Sequence, residues 1–387
     1  MTHTDATIPQ ESRSTPAAAR RLPLLDVLRG VAILGTLMTN VWIFTGPGAE
    51  WGALQSEPST GVVGGVFSVL ANGKFLSLLT ILFGVGLAIQ YRSAERRGQP
   101  WPGRYRWRAL FLFAEGTVHF VLVFAWDVLM GYAVTALLVA WLLTRSERAR
   151  RRVMWWAAGI HLTLMALLSA VLILSGDNAD DPVSGEVVDL YAHGSYPEQI
   201  AFRLENALAL RMEPVLTFFL LLFLFLLGVR LFRAGAFGAD GTGRRLRSRL
   251  LVWGLGLGLP LNVAATLAGP DLFLLARYGT APLLALGYIG LIGAIVDRVR
   301  RPGPLMTGLT SVGRTALSGY VLQNVLCVLV SYGIGLGLAE RLGGTGPWWV
   351  VGLWAAVCAV LMVGATLWLR RFAAGPLEAL QKRALRH

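Results

Sequence analysis

The stretch LLDVLRGVAILGTLMTNVWIF (24–44) decides the fold class, because it can cross a bilayer and holds only two charged residues, Asp26 and Arg29. A membrane-spanning helix needs about 20 consecutive, mostly apolar residues. Stretches of this kind recur along the 387-residue chain at about 24–44, 73–91, 109–125, 128–144, 153–175, 214–231, 250–269, 276–296, 312–338 and 348–369. The sequence therefore predicts an all-α, polytopic integral membrane helix bundle of about ten transmembrane helices. Residues 61–72 are too short to cross alone and are predicted to form an interfacial or re-entrant piece.

Composition excludes several classes of protein. Hydrophobic residues make up 55% of the chain, charged residues make up 15%, and the mean hydropathy is +0.58. Soluble domains carry roughly 25% charged residues. The net charge of +13 comes from basic residues spread over short loops, whereas a nucleic-acid binder concentrates them on one face with exposed aromatics. We therefore expect the lipid bilayer as a partner, and no nucleic acid.

The distribution of basic residues predicts the orientation. With the N-terminus in the cytoplasm, the cytoplasmic segments hold most of the 35 Lys and Arg. The outer segments hold only Arg203, Arg211, Arg277 and Arg341. This bias obeys the positive-inside rule and predicts a multi-pass protein of the bacterial cytoplasmic membrane with both termini inside. Residues 1–22 are predicted to be a disordered tail, 23–387 a single transmembrane domain, and 176–213 a long acidic extracytoplasmic loop.

Charges that the loops do not explain mark the candidate site, since a charge at mid-bilayer is costly and usually faces the bundle interior. Asp26 and Arg29 lie three residues apart and face the same side of a helix, where they form either a structural ion pair or part of a site. Arg29, Arg314 and Arg106, with Arg92 and Arg108 nearby, suit a cytoplasmic pocket for a phosphate-bearing donor. Simple anchoring of Arg314 at the headgroups is the alternative.

The third predicted span carries the clearest candidate for chemistry. Glu115 and His119 lie four residues apart on one helix face, and Asp127 follows at the outer end. A carboxylate beside an imidazole orients a general base or relays protons, although an interhelical hydrogen bond would need the same residues. Lys74 is expected at the outer rim, where it either pairs with Asp127 or snorkels, and Asn40 ends the first span nearby.

The ninth predicted span carries a polar stripe. Tyr320, Gln323 and Asn324 have the spacing that places all three on one side of a helix. Such a stripe either joins helices by hydrogen bonds or contacts a substrate. His193 and its acidic neighbours match no metal-ligand spacing, so no metal is expected.

Five segments resemble the YeiB-like family of bacterial polytopic membrane proteins of unassigned function. They are PLLDVLRGVAILGTLMTN (23–40), GKFLSLLTILFGVGLAIQYR (73–92), GTVHFVLVFAWDVLMGYAV (116–134), VGRTALSGYVLQN (312–324) and WLRRFAAGPLEAL (368–380). The opening segment also resembles the first span of membrane acyltransferases such as heparan-α-glucosaminide N-acetyltransferase. That resemblance implies acyl-CoA as a cytoplasmic donor. It also implies an acyl-transfer His in the outer loop after the first span, but residues 45–60 contain no His. His119 would then do that work, oriented by Asp127 or Glu115.

Three functions remain open at this point. The first is an acyltransferase that moves an acyl group from cytoplasmic acyl-CoA to a small-molecule or envelope acceptor. The second is a proton- or cation-coupled transporter of a small molecule, with Glu115, His119 and Asp127 as the ion path. The third is a non-catalytic membrane partner, which needs no polar site. The sequence is also compatible with a homo-oligomer.

Overall fold

The computed structural model describes residues 22–52, 61–175 and 183–385, and within these ranges the regular elements are helices without any strand. In chain order the α-helices are α1 Pro23–Thr45, α2 Ala49–Gly52, α3 Gly61–Ala71, α4 Lys74–Arg96, α5 Tyr105–Leu122, α6 Leu129–Leu142, α7 Glu147–Ser175, α8 Gly185–Ala192, α9 Tyr196–Glu205, α10 Ala207–Leu210, α11 Met212–Leu216, α12 Phe218–Arg233, α13 Gly241–Leu267, α14 Ala281–Arg298, α15 Pro304–Arg314, α16 Ala316–Ser331, α17 Leu338–Leu342, α18 Trp348–Arg371 and α19 Pro376–Ala384. The π-helical segment Leu275–Thr280 leads directly into α14.

Each of the ten predicted apolar stretches is largely helical, which confirms the all-α polytopic bundle. Six helical stretches are long and apolar enough to cross a membrane on length and composition: Pro23–Thr45, Gly61–Arg96, Glu147–Ser175, Gly241–Leu267, Pro270–Arg298 and Trp348–Arg371. The shorter apolar helices α6 and α16 occupy two further predicted stretches. The predicted tail falls almost wholly on residues 1–21, and the acidic loop begins with residues 176–182, both outside the described residues.

Burial separates central helices from peripheral ones. The most apolar window of α1 is 72% buried and that of Gly61–Arg96 is 67% buried, whereas those of α7 and α13 are each only 22% buried. A membrane helix that exposes most of its apolar surface faces lipid. The first span is therefore a central helix, and its charged residues Asp26 and Arg29, near its N-terminal end, are partly buried against neighbouring helices.

Two of the predicted spans are interrupted. The ninth, predicted over 312–338, consists of α15 and α16 with a break at Thr315, and its helix ends at Ser331 instead of continuing. Residues 61–72 form α3, which a turn at Asn72 and Gly73 separates from α4. Gly73 has φ +76°, a left-handed conformation that favours glycine, and an added Cβ would lie 2.0 Å from the Arg277 carbonyl oxygen. The hydropathy pattern finds these segments but not their breaks.

Close glycine contacts set the spacing of the central helices. A Cβ on Gly30 would lie 2.0 Å from the Leu309 carbonyl oxygen, and one on Gly313 would lie 1.7 Å from the Asp26 carbonyl oxygen. Glycines allow membrane helices to approach with their backbones in contact. The first span therefore packs tightly against α15, which brings Arg29 and Arg314 to the same end of the bundle.

Candidate functional site

The outer end of α5 positions the imidazole of His119. The helix ends at Leu122, and the backbone N–H groups of Val123 and Phe124 both donate to the His119 carbonyl oxygen, at 2.8 and 2.9 Å. Residues 123–128 then turn back along α5. The side chain of Asp127 accepts hydrogen bonds from the first N–H groups of α6, those of Leu129 at 3.0 Å and Met130 at 3.4 Å. Asp127 thus both caps α6 and faces α5.

Gly116 makes this return possible. A Cβ at this position would lie 2.6 Å from Asp127 Oδ2 and 2.8 Å from the Met130 backbone nitrogen. The helix face at Gly116 is one turn before His119, so the absent side chain leaves room for the carboxylate beside the imidazole. The predicted approach of His119 and Asp127 therefore depends on a glycine between them in space.

His119 and Asp127 form a buried pair with two side chains of the ninth span. His119 Nδ1 lies 3.3 Å from Asp127 Oδ1, within ion-pair distance but misaligned for a hydrogen bond. His119 Nε2 lies 3.2 Å from the Asn324 amide nitrogen, and the Tyr320 hydroxyl donates to Asp127 Oδ1 at 3.4 Å. All four side chains are at most 4% exposed. The two predicted polar groups, on α5 and on α16, therefore meet in one site.

Arg211 supplies the positive charge of this site, and the sequence reasoning missed it. Its guanidinium donates to the Asp127 carbonyl oxygen at 3.0 Å and to the Gly116 carbonyl oxygen at 3.3 Å, and lies 3.9 Å from Asp127 Oδ2. It also stacks 4.1 Å from the centre of the Phe120 ring. The sequence does contain one indication of this role, the predicted position of Arg211 on the outer side. The positive-inside rule disfavours an arginine there unless another group pairs with it.

Two other predicted residues, Glu115 and Gln323, lie apart from this pair. Glu115 shares a helix face with His119, but neither carboxylate oxygen has a hydrogen-bond partner among the described residues. Of the two carboxylates expected to orient the imidazole, only Asp127 lies within ion-pair distance of it. Gln323 donates to Thr36 at 3.5 Å, which joins α16 to the first span.

Lys74 makes neither of the two contacts predicted for it at the outer rim. It neither pairs with Asp127 nor snorkels, because its side chain is buried at 1% exposure and donates to the Ser68 carbonyl oxygen at 2.7 Å. The contact closes the turn between α3 and α4. Asn40 is half-buried on α1 and makes no side-chain hydrogen bond within the described part of the chain.

A cavity of about 280 Å³ lies at the predicted cytoplasmic end. Arg29 and Arg314 line it as expected, but Arg108 takes the place predicted for Arg106, which points away from the cavity on the exposed side of α5. Asp26 lies 3.2 Å from Arg29 and forms the predicted ion pair with it. The remaining walls are mainly apolar and include Ile33, Leu79, Leu82, Phe83 and Leu112. A cavity with clustered arginines at one end and apolar walls suits an amphipathic anion.

Glu378 also lines this cavity, and its charge is already engaged. One carboxylate oxygen accepts a hydrogen bond from the Leu317 backbone N–H at 2.8 Å, and the other accepts one from the Ser318 hydroxyl at 2.6 Å. These groups form the first turn of α16, where the helix dipole stabilises a negative charge. The C-terminal helix α19 thus caps the helix that carries Tyr320, and the arginines remain available to a ligand.

Tyr320 connects the cavity to the buried pair. Its side chain lines the inner end of the cavity, and its ring centre lies 5.3 Å from that of His119. Because its hydroxyl also reaches Asp127, Tyr320 contacts both the arginine-lined cavity and the buried pair.

Outer helices close the opposite side of the site. The Tyr196 hydroxyl and the Arg203 guanidinium of α9 donate to carbonyl oxygens at the end of α5, those of Leu122 at 2.5 Å and Val121 at 3.4 Å. Arg203 also lies 3.4 Å from Glu50, which is fully buried. The outer helix that carries these residues therefore covers the helix end that bears His119.

Glu50 holds this cover in place, and the sequence reasoning did not single it out. Its carboxylate accepts hydrogen bonds from the Tyr332 hydroxyl, from Tyr191 at 3.3 Å and from the Ala125 N–H at 3.2 Å, besides its contact with Arg203. We call Glu50, Tyr191, Arg203 and Tyr332 the outer clamp. The clamp joins α2, α8, α9 and the end of α16.

A second buried ion pair fixes the π-helical segment. Arg277 lies 3.0 Å from Glu213 and donates to Asn72 at 2.9 Å, and the Tyr278 hydroxyl donates to Glu213 at 2.5 Å. The Tyr278 carbonyl oxygen lies 3.1 Å from His161 Nε2, so His161 has a structural contact. This network lies apart from the His119 pair.

Helices, hydropathy and a buried polar centre define a polytopic membrane protein. A family model described as "Protein of unknown function (DUF418)" matches residues 231–386. The chain is 27% identical to the uncharacterized protein YxaH of Bacillus subtilis (strain 168) over 94% of each chain. It is 28% identical to the uncharacterized protein YeiB of Escherichia coli (strain K12) over 92% of this chain and 94% of that relative. The predicted resemblance to the YeiB-like family is thus confirmed.

Proposed function

We propose that this protein is a membrane acyltransferase that takes an acyl group from cytoplasmic acyl-CoA and transfers it to an acceptor near the outer face. The observation that carries the proposal is the buried His119–Asp127 pair, which is contacted by Tyr320, a residue that also lines a cavity with three arginines. The bias of basic residues supports a position of this cavity on the cytoplasmic side of a bacterial cytoplasmic membrane.

The cavity fits the donor by charge and shape. Arg29, Arg108 and Arg314 supply guanidinium groups, which bind phosphate through paired hydrogen bonds. Asp26 is paired with Arg29 and Glu378 is bound to the start of α16, so three arginines against these two engaged carboxylates leave a net positive mouth. The apolar walls that lead inward accommodate the uncharged arm and acyl chain of a CoA thioester.

The residues around His119 support direct transfer of the acyl group from the CoA thioester to the acceptor. His119 Nε2 removes the proton from an acceptor hydroxyl or amine, and the acceptor atom attacks the thioester carbonyl carbon. A bond forms between acceptor and acyl carbon, the carbon–sulfur bond breaks, and the leaving thiolate takes the proton from the imidazolium. Asp127 keeps Nδ1 protonated and stabilises the positive charge on the ring. The Asn324 amide and the Tyr320 hydroxyl are the nearest donors for the oxygen that becomes negative.

Two side chains have to move before donor and acceptor can reach His119. Asn324 occupies the Nε2 side of the imidazole, so the acceptor has to displace its amide. Tyr320 fills the passage from the cavity, so the thioester reaches His119 after the ring turns aside. Both residues lie on α16, whose start is separated from α15 by the break at Thr315. A small rotation of α16 would move both together.

Hydrolysis or transfer of a simple acyl donor tests the proposal. Purified protein is incubated with acetyl-CoA, and free CoA thiol is measured over time. We expect His119→Gln to lower the rate by about 10²–10⁴-fold, the usual contribution of a general base. His161→Gln is the matched control, because His161 is equally buried but contacts the Tyr278 carbonyl oxygen. Equal rates for the wild type and His119→Gln would refute the proposed role.

A second function, proton- or cation-coupled transport, is favoured by one different observation. Glu115 is a carboxylate inside the apolar layer that has no hydrogen-bond partner among the described residues, and such residues often mark ion paths. The interrupted span α15–α16 is also typical of transporters. Proteoliposomes with an imposed proton gradient would show flux that Glu115→Gln abolishes. If the wild type shows neither thiol release from acetyl-CoA nor proton-dependent flux, a role as a non-catalytic membrane partner explains the protein better.

A further inference from the structure

An apolar groove of about 460 Å³ lies between α16, α18 and α19. Leu322 and Val325 form one wall, Val360 and Gly364 form the other, and Leu377 closes one end. The neighbouring side chains Val363 and Leu367 are 58% and 52% exposed, so this surface faces lipid tails when the protein is in a membrane. The groove is therefore filled by hydrocarbon from the bilayer and not by water.

The groove is separate from the arginine-lined cavity. The cavity is lined by Ala316, Leu317 and Tyr320 on one side of α16, whereas the groove is lined by Ser318 and Leu322 on the other. Gly364 leaves open space on the floor, since a Cβ built there would have no heavy atom within 4 Å. A ligand in the groove therefore does not compete with one in the cavity.

The groove ends at headgroup depth. Trp368 lines it and stacks on Phe372 at a ring distance of 4.2 Å, and the Trp368 indole N–H donates to the Ala374 carbonyl oxygen at 3.0 Å. Stacked aromatic residues at the end of a span are typical of the membrane interface. The amphipathic helix α19 begins there, with Lys382 exposed on its polar side. A molecule in the groove thus has its tail in hydrocarbon and its head beside α19.

Positive charge gathers at the same end. Arg371 follows Trp368 by three residues, which places it on the groove-facing side of α18 one turn further on, and it is exposed. Glu378, the nearest carboxylate of α19, is bound to the start of α16 through Leu317 and Ser318. Exposed guanidinium groups at the membrane surface attract anionic headgroups. The open end of the groove therefore favours anionic headgroups over neutral ones.

We infer that this groove is a binding site for one anionic phospholipid of the cytoplasmic leaflet. One acyl chain lies between α16 and α18 over Gly364, and the phosphate lies beside Arg371. The site holds the first turn of α16 from the lipid side, opposite the cap that Glu378 provides. The inference is independent of the proposed acyl transfer, because neither the buried pair nor the cavity takes part in it.

Native mass spectrometry of the full-length protein tests the site. The detergent-solubilised protein is titrated with dioleoyl phosphatidylglycerol or with dioleoyl phosphatidylcholine, and the lipid-bound fraction is measured. We expect one tightly held phosphatidylglycerol, which Gly364→Leu weakens by about tenfold because leucine fills the floor. Gly352→Leu is the matched control, since Gly352 also has open space at Cβ but lies outside the groove. Arg371→Gln should abolish the preference for the anionic lipid.

Other outcomes each decide the question. Unchanged phosphatidylglycerol binding in Gly364→Leu would overturn the site, and equal binding of the two lipids by the wild type would overturn its charge selectivity. A dimer that only the groove-filling change disrupts would assign the groove to a second copy of the chain. If Gly364→Leu does not fold, Val325→Trp fills the groove from the other wall. Leu329→Trp is the control, because Leu329 lies one turn further along the same helix face, is 48% exposed and is not among the lining residues of the groove.

Discussion

The outer clamp gives the sharpest prediction about stability, through the variant Glu50→Gln. The carboxylate is fully buried, lies 3.4 Å from Arg203, and also accepts hydrogen bonds from Tyr191 and Tyr332. The variant keeps the shape of the side chain but removes the charge, and its amide nitrogen cannot accept a hydrogen bond. Arg203 is then left buried without its counter-charge.

The size of the effect follows from this loss. Removing one partner of a buried ion pair costs about 3–5 kcal/mol, because the other charge stays out of water. For a chain of this size we expect the Tm in detergent to fall on the order of 5–10 °C. The control is Glu340→Gln, because Glu340 forms an exposed outer ion pair with His193, a class worth about 0–1 kcal/mol. Thermal unfolding followed by tryptophan fluorescence measures both variants.

A double-mutant cycle separates the pair from its surroundings. If Glu50 and Arg203 act together, the double variant Glu50→Gln/Arg203→Gln should be more stable than the sum of the single losses by about 1–3 kcal/mol. Strict additivity of the two changes would show that the pair is not coupled. A Tm for Glu50→Gln that matches the Glu340→Gln control would refute the reasoning about the buried charge as a whole.

Two further predictions concern the site and the outer surface. Gly116→Ala should cost about 1–3 kcal/mol, because its Cβ would lie 2.6 Å from Asp127 Oδ2, and thiol release from acetyl-CoA should fall with it; an unchanged rate would contradict the close packing. The Asp189 hydrogen bond and the Glu340 charge raise the pKa of His193, so its two exposed contacts persist below its ordinary pKa of about 6.5 and are lost as the pH rises through the raised value. An NMR titration of His193 with a midpoint at or below the ordinary value would contradict this.

The sequence predicted most of the fold for a simple physical reason. In a bilayer every backbone polar group has to be satisfied within its own segment, so long apolar stretches have to be helices. Nothing in hydropathy marks where such a helix breaks. The ends of the ninth span were missed because α15, α16 and the turn after Ser331 are all apolar or small enough to continue the pattern.

The candidate site was predictable only in part. His119 and Asp127 stood out because charge and polarity are rare inside spans, and Tyr320 and Asn324 because they share a helix face. Arg211 was assigned to a loop, where an arginine is usually solvated. Its contact with Asp127 depends on the turn at residues 123–128, which no periodicity describes. Pattern analysis detects residues that one helical turn places on the same face. It does not detect residues that tertiary folding brings together.

The two ends of the bundle differ in how their charges are used. On the outer side Arg203, Arg211 and Arg277 each lie within ion-pair distance of a buried carboxylate, so they add little free positive charge there. At the predicted cytoplasmic end Arg108 and Arg314 line an open cavity, and no carboxylate pairs with either within the described ranges.

This asymmetry constrains how an acceptor would reach His119. The donor has an open, positively charged entrance, whereas α9 covers the end of α5 and the outer clamp holds it there. Acceptor entry from outside therefore requires the clamp to open, at a cost that the wild type bears in each cycle. Glu50→Gln should then lower the Tm but raise the rate of acyl transfer to a small amine acceptor, with hydrolysis of acetyl-CoA changed less. A variant that loses stability and gains nothing in transfer would place the acceptor's entrance elsewhere, beside the donor at the cytoplasmic cavity.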